Sequence, residues 1–426
     1  MLRVALILLL LILPGAPAGG QTAAFQFSFP NPGARSMGLG GAFVALADDA
    51  TAALANPAGL VQLAAPEVSI EGRSWSYSTP FAESGRLSGS PTGIGLDTEA
   101  GLDIARSRAD VRGLSFLSLV YPGKRWSLAV YRHRLADFEF ESATRGLFAD
   151  YSGGPRVPDI RGATDLELTT HAVAAAYRVS DELAVGLGVS HFGGEMRWNE
   201  DQYLWDDDTE GALYGESSYL PERLWAGGAV ALDDEDWGLN AGLLWRFGER
   251  WSFGGSFRQG PELAGEGTVF IGPASTERPP GIVGAGALAV NFPDVIALGV
   301  AFRSRDGRLT VGVEVDHVAY SKLARSLDEG VEGLGEGITF TGRIDDGGEV
   351  HLGAEYAFLG TKPLLAVRWG TWFEADHLTQ GFVDIGEPQF HFAAGLGAAF
   401  ERFQVDLAAE FSDLVDTVSV STIYSF

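Results

Sequence analysis

Beyond residue 65 the chain alternates apolar and polar positions with a period of two, the pattern of strands whose two faces meet different surroundings. Leu309, Val311, Val313 and Val315 share one face, and Thr310, Gly312, Glu314 and Asp316 the other. Likewise Leu352, Ala354, Tyr356 and Phe358 oppose His351, Gly353 and Glu355, while Phe403, Val405, Leu407, Ala409 and Phe411 oppose Gln404, Asp406 and Glu410. Strands are predicted to begin near Glu67, Val111, Trp126, Asp165, Glu182, Leu224, Trp251, Val295, Leu309, Val350, Leu364, His391, Phe403 and Thr417. That makes about fourteen, an even count. Residues 224–247, with an acidic middle, are taken as one strand because two would break that count. Alternation by itself fits a soluble sandwich as well as a barrel.

The connections separate the two. Short ones lie near residues 122–125, 180–181, 248–250, 304–307, 360–363 and 401–402, and long ones near 81–110, 142–164, 198–222, 261–293, 321–348 and 375–388. Regular exchange of short and long is expected of an all-β transmembrane antiparallel barrel, with tight periplasmic turns and long external loops. Closure follows from physics, since an unpaired sheet edge in lipid leaves backbone groups without partners. The last segment sets Val418, Val420, Thr422, Tyr424 and Phe426 against Ser419, Ser421 and Ser425. Such an aromatic closing strand resembles the signal read by the outer-membrane assembly machinery.

Composition narrows the picture. The chain has 57 Gly, 26 Phe, 10 Trp and 11 Tyr, no Cys, and a mean hydropathy of only +0.07. Outside the first residues it has no run of roughly 20 apolar residues of the kind a membrane helix needs. Residues 1–18 read as a secretory signal peptide: Arg3, an apolar core at 4–13, and a small-residue cleavage site at Ala16-Pro17-Ala18. A net charge of −26 argues against a nucleic-acid partner, for lack of surplus cations to neutralise phosphates. The acidic runs Asp206-Asp207-Asp208 and Asp233-Asp234-Glu235-Asp236 read as solvated loops.

Residues 32–60 stand apart from this pattern. They read PGARSMGLGGAFVALADDATAALANPAGL, a glycine-rich start, an acidic pair and an alanine-rich segment stopped at Asn56-Pro57. Asp48 is placed to cap a short helix, and Pro57 to end it by barring Asn56 from helical geometry. Gly38, Gly40 and Gly41 permit sharp turns or close packing. The order Ala-Arg-Ser-Met-Gly-Leu-Gly-Gly-Ala-Phe (34–43), Ala-Asp-Asp-Ala (47–50) and Asn-Pro-Ala-Gly-Leu (56–60) resembles the hatch of the FadL-like family, the long-chain fatty acid and aromatic-hydrocarbon transporters of the bacterial outer membrane. Residues 292–300, the strand from 309 and Leu352-Gly353-Ala354-Glu355-Tyr356 extend the likeness.

The resemblance implies a signal peptide (1–18), a hatch or plug inside the lumen (19–64) and a fourteen-stranded barrel (65–426). Its hatch residues are Gly38, Gly40, Gly41, Asp48, Asp49, Asn56, Pro57, Ala58 and Gly59. It also implies passive uptake of hydrophobic small molecules, long-chain fatty acids or aromatic hydrocarbons, gated by the hatch. The rival is a non-transporting barrel of the same family serving as a secretion or surface-attachment scaffold. Partners are then a hydrophobic ligand, outer-membrane lipid and lipopolysaccharide, and the assembly machinery, for a monomer without cofactor.

No enzyme motif intervenes. The seven histidines, at 133, 171, 191, 317, 351, 377 and 391, form no close pair, and no Gly-x-Ser-x-Gly elbow occurs. The glycines of 284–289 superficially fit a dinucleotide fingerprint but fall in what reads as a long loop. Ligand contacts are expected at Trp198, Tyr203, Trp205 and Tyr214, aromatics of an external loop that are costly in water unless they touch something. Alternation turns Arg258, Glu314, Asp316, His351, Glu355, Arg368, His391, Asp406 and Glu410 inward, into ion pairs with one another and the hatch. Arg258 or Arg368 could instead meet a ligand carboxylate. In the family an inward kink of the third strand opens the wall sideways. Here Arg132-His133-Arg134 interrupts that strand and marks either a rim position or a departure from regular wall geometry.

Overall fold

The computed structural model describes residues 29–149, 156–205, 211–215, 219–275, 279–323, 325–326, 345–376 and 387–426. The expected signal peptide, the first hatch residues, Asp206-Asp207-Asp208 and much of the long connections near 321–348 and 375–388 lie outside them.

Fourteen wall strands form one closed antiparallel sheet. They are β1 (Glu67–Arg86), β2 (Leu102–Pro122), β3 (Trp126–Ala143), β4 (Asp159–Arg178), β5 (Leu183–Tyr203), β6 (Leu224–Phe247), β7 (Trp251–Arg258 and Glu262–Ile271), β8 (Gly281–Asn291 and Val295–Arg303), β9 (Leu309–Val318), β10 (Gly347–Phe358), β11 (Leu364–Glu374), β12 (Gln389–Ala399), β13 (Phe403–Phe411) and β14 (Val415–Ser425). The ring closes where β1 pairs with β14, from Glu67 opposite Ser425 to Tyr77 opposite Val415. A two-residue strand, Leu147–Phe148, lies parallel to the end of β1.

The outer face carries the apolar set that alternation assigned to it. Val313, Val315, Leu352, Phe403, Val405 and Leu407 are exposed, while Glu314, Asp316, His351, Arg368, His391 and Asp406 are buried inside. At the short-turn rim, aromatic pairs form a belt: Tyr121 with Trp126, Trp245 with Phe247, Trp251 with Phe302, Tyr356 with Phe358, Phe400 with Phe403 and Tyr424 with Phe426. Amphipathic rings favour that depth of a bilayer.

The structure corrects several boundaries. Residues 261–293 are not a loop, because β7 and β8 continue through most of them. Each strand is interrupted once, at Gly260-Pro261 and at Phe292-Pro293. Proline has no N–H to give the ladder, and the gap is bridged by the Gly260 N–H donating to Asp294 (3.0 Å) and the Phe292 N–H to the Pro261 carbonyl (2.9 Å). The glycines of 284–289 are therefore part of β8, paired with β7. Strands β1, β2, β4 and β5 also run further outward than expected, so Trp198 and Tyr203 lie on β5. Asp233 to Asp236 sit within the single strand β6, not in a loop. There the ladder to β7 is missing, and Asp234 and Asp236 accept the N–H groups of Ala264 and Glu262, each at 2.8 Å. A strand of 24 residues is far longer than the roughly 10 that cross a bilayer, so this acidic stretch stands beyond it in water.

Candidate functional site

Residues 29–63 pack against inward-facing wall positions. They form α1 (Ala34–Gly38), α2 (Ala52–Ala55) and a 3₁₀ turn (Pro57–Gln62). α1 lies against β11 to β14, and the 3₁₀ turn against β3 to β6. Asn56 is extended and Pro57 opens the 3₁₀ turn, so the helix stops where proline dictates. Asp48 does not cap the helix as expected: the N-cap is Thr51, which makes no side-chain cap bond, and the Asp49 carboxylate accepts the Thr51 N–H at 2.9 Å just before it. Asp48 is drawn instead to two guanidiniums.

Those ion pairs form a chain of alternating charge across the lumen. Arg303 Nη2 meets Asp48 at 2.9 Å, Asp48 bonds Arg35, and Arg35 forks onto Glu355 at 3.0 and 3.1 Å. Glu355 then accepts from Arg368 Nε at 2.7 Å, and Arg368 Nη1 reaches Asp406 at 2.6 Å. Burial alone would raise the Asp48 carboxyl, but Arg35 and Arg303 hold it below the ordinary carboxylate range. Burial raises Asp49, and the pull of Arg35 does not overcome it.

Hydrogen bonds between wall side chains and hatch backbone complete the seat. Glu314 accepts the N–H groups of Phe43 (2.6 Å) and Val44 (2.7 Å), and Glu71 that of Gly33 (3.0 Å). Asn240 donates to the Leu54 carbonyl, Ser252 to that of Ala45, and His351 Nδ1 to that of Gly40 (2.8 Å). Asn56 donates to the carbonyls of Val44 (2.8 Å) and Leu243 (3.0 Å) and accepts from the Ala58 N–H.

Sequence reasoning missed a ring of wall glycines. A Cβ at Gly186 would lie 2.3 Å from Ala58 N, at Gly242 2.1 Å from Asn56 Oδ1, at Gly254 2.2 Å from the Val44 carbonyl, at Gly353 2.3 Å from that of Leu39 and at Gly370 2.1 Å from Gly40 N. Within the segment, Gly59 touches the Ala47 carbonyl in the same way, and Gly40 and Gly41 turn at φ +60 and +82. The signal was present as glycine on the inward parity of successive strands, but only the packed segment gives it meaning.

Beyond this segment the inner wall becomes apolar. Phe138, Phe140, Leu166, Leu168, Phe192, Met196, Leu232 and Leu263 form one buried cluster with Phe29. A narrow cavity lies between the two, lined by Phe29, Trp75, Tyr77, Leu135 and Ala136 and by charged groups of β9, β10, β11 and β13. It reaches the wall where the β2–β3 ladder fails. That ladder runs only from Pro122–Ser127 to Phe116–His133, whereas β1–β2 and β3–β4 stay paired well beyond it. A bulge at Leu135 marks the departure, and the alternation ahead of it ends with His133 buried against Phe116. Side chains span the gap: Arg132 donates to the Leu114 carbonyl (2.9 Å), Tyr77 to that of Asp137 (2.9 Å), and the Glu141 N–H to Ser107 Oγ (3.0 Å). The charged interruption thus belongs to irregular wall geometry.

The expected ligand contacts scatter. Arg368 is held by Glu355 and Asp406, while Arg258 bonds the Phe29 carbonyl at 3.1 Å and keeps Nη1 without a hydrogen bond. Arg258 lines a second, smaller cavity with Phe29, Leu54, Phe192 and Leu239. Tyr203 packs edge-on against Tyr219 (5.3 Å), Trp205 lies under the Arg156 guanidinium (5.3 Å), Trp198 is half-buried on β5, and Tyr214 is exposed. Among the described residues, Tyr203 and Trp205 thus pack against different partners, and Tyr214 faces outward.

No curated protein matches the sequence. Among solved structures, a Pseudomonas aeruginosa FadL homologue superposes with a TM-score of 0.66 at 14% identity, covering 95% of this chain and 100% of that one. The Pseudomonas putida toluene transporter TodX gives 0.64 at 13% identity, over 94% and 99% of the two chains. The Ralstonia pickettii toluene transporter TbuX gives 0.59 at 15%, over 94% and 99%. At these identities the likeness establishes the fold alone. The sequence profile of the family described as outer membrane protein transport protein (OMPP1/FadL/TodX) matches residues 142–415. With that match and this barrel, the chain belongs to the OMPP1/FadL/TodX family of outer-membrane β-barrels that carry hydrophobic substrates.

Proposed function

We propose that this protein passes small hydrophobic molecules inward by diffusion, with residues 19–64 as a displaceable plug and the β2–β3 gap as the exit into the membrane. The observation that carries the reading is the apolar inner wall, from Phe138 to Leu263, leading to a cavity lined by Leu135, Ala136 and Asp137, on the stretch of β3 that β2 leaves unpaired. A water-filled pore would line that wall with polar groups, and an apolar solute gains by leaving water for such a surface. The ligand favoured is a neutral aromatic hydrocarbon, as the toluene transporters among the structural relatives carry. Arg258 Nη1 is the group through which a carboxylate would be accepted instead. Capture from outside, and any contact with lipopolysaccharide, fall to the outward ends of the long strands.

The chain has no cysteine, so Ser107→Cys with Glu141→Cys would be its sole pair. In a strain lacking the native gene, uptake of labelled toluene should depend on this protein. It should fall severalfold when the pair is cross-linked and return on reduction. Uptake indifferent to the cross-link would refute the sideways exit. Absence of uptake together with co-purifying protein partners would favour a scaffold.

A further inference from the structure

The rings of His351, Trp372 and His391 stack along the inner wall of β10, β11 and β12, with centroids 5.1 and 3.7 Å apart. At one end of the stack, His351 Nδ1 lies 2.8 Å from the Gly40 carbonyl. A carbonyl oxygen only accepts, so Nδ1 carries the proton and Nε2 is left with its lone pair in the neutral ring. That nitrogen faces Glu349 Oε2 at 3.6 Å and Asp316 Oδ2 at 3.8 Å, both beyond hydrogen-bond range. Neither His351 Nε2 nor Asp316 Oδ1 has a hydrogen-bond partner, although the two residues are only 7% and 5% exposed. All three side chains line the same lumenal cavity.

A buried nitrogen and buried carboxylate oxygen left bare are costly, and their arrangement suits a third party. One ligand atom from each of Asp316, Glu349 and His351 lies within 4.8 Å of the others. Ligands about 2.0–2.2 Å from a tetrahedral ion lie roughly 3.3–3.6 Å apart, so the two spacings to His351 Nε2, 3.6 and 3.8 Å, need little adjustment. Glu314 adds negative charge nearby and Arg258 positive charge. We propose that Asp316, Glu349 and His351 bind a divalent first-row transition metal ion, Zn²⁺ being the type case, with water completing its shell on the cavity side. An imidazole among two carboxylates selects such an ion over Mg²⁺ or Ca²⁺, which prefer all-oxygen sites. The His351–Gly40 bond orients the ligand in the manner usual for metal-bound histidines. It also ties the ion to the hatch, whose Gly41 would place a Cβ 2.8 Å from the same ring.

The test uses the full-length protein in detergent, stripped with EDTA and titrated with Co²⁺, then Zn²⁺. One Co²⁺ per chain should bind, show the visible absorption of a low-coordinate site, and be displaced by Zn²⁺. Asp316→Asn and Glu349→Gln should each weaken binding about tenfold or more, with heat-modifiable gel migration confirming a folded barrel. In the unaltered protein Zn²⁺ should protect His351 from diethylpyrocarbonate, read by peptide mass spectrometry, so the decision does not rest on the variants folding. No stoichiometric uptake, binding equal in both variants, or an unprotected His351 would overturn the proposal and leave the cluster as a protonated histidine between carboxylates. The transport reading is independent of either result.

Discussion

Gly242→Ala is the sharpest probe of the seated hatch. The added methyl would stand 2.1 Å from Asn56 Oδ1 and 2.9 Å from Pro57 Cδ, against a side chain locked by bonds to Val44, Leu243 and Ala58. Overpacking of this kind costs about 1–3 kcal/mol. Asn56 cannot swing away without giving up buried hydrogen bonds worth about 1 kcal/mol each. A combined penalty of about 2–4 kcal/mol falls on the docked hatch and spares the barrel, whose ladder at β5–β6 uses backbone atoms only. At 1.4 kcal/mol per decade, the undocked population rises roughly 30- to 700-fold. The matched control is Gly193→Ala on β5, where a Cβ meets nothing within 4 Å. In planar bilayers Gly242→Ala should open conducting events that the control lacks, and limited proteolysis should cut within residues 29–64, while heat-modifiable migration stays normal. Equal leak and equal protection in the two variants would refute the argument that the segment is held by close approach to wall glycines.

Four further outcomes follow from the same geometry. Arg35→Met removes the cation shared by Asp48, Asp49 and Glu355; because Asp48 keeps Arg303 and Glu355 keeps Arg368, the cost stays below the roughly 3–5 kcal/mol of a fully stranded buried charge, and hatch proteolysis should rise and be partly rescued by adding Glu355→Gln. Acidification provides a pH test. The docked Asp48 carboxyl is depressed, so its stabilisation is complete above the ordinary value near ~3.9 and lost as pH falls through the lower docked one, while Asp49, raised, gains as it protonates. Conductance should therefore stay closed from neutral pH to about 4 and open only below; opening near pH 6 would contradict this. Arg258→Met should leave toluene uptake unchanged, and should lower fatty-acid uptake about tenfold if Nη1 meets a carboxylate, since a charge-assisted bond is worth about 1.5–3 kcal/mol. Pro261→Ala should leave the barrel folded, because the neighbouring Gly260 and Phe292 N–H groups bridge the break; loss of folding would show the proline to be required.

Much of this molecule is written in local pattern. Which face of β9, β10 or β13 turns inward is a matter of backbone pleating, and Glu314, Asp316, His351, Glu355 and Asp406 all point where a period of two sends them. The stop at Asn56-Pro57 is likewise local, because proline restricts its predecessor whatever surrounds it. The interrupted strands misled for the same reason: Gly260-Pro261 and Phe292-Pro293 carry every local sign of a loop, and only a neighbouring strand shows that the ladder resumes beyond them.

What a side chain meets once inside depends on how the cylinder closes and which part of the chain fills it. Strand register decides that Arg368 is held between Glu355 and Asp406 while Arg258 keeps a bare nitrogen, and that Asp48 pairs with Arg35 and Arg303 instead of capping a helix. The gap between β2 and β3 is a bond that two segments do not make, and the wall glycines matter through a segment more than a hundred residues away. Alternation is set by each residue and its immediate neighbours; pairing, burial and charge partners are set by closure, which no stretch of sequence contains alone.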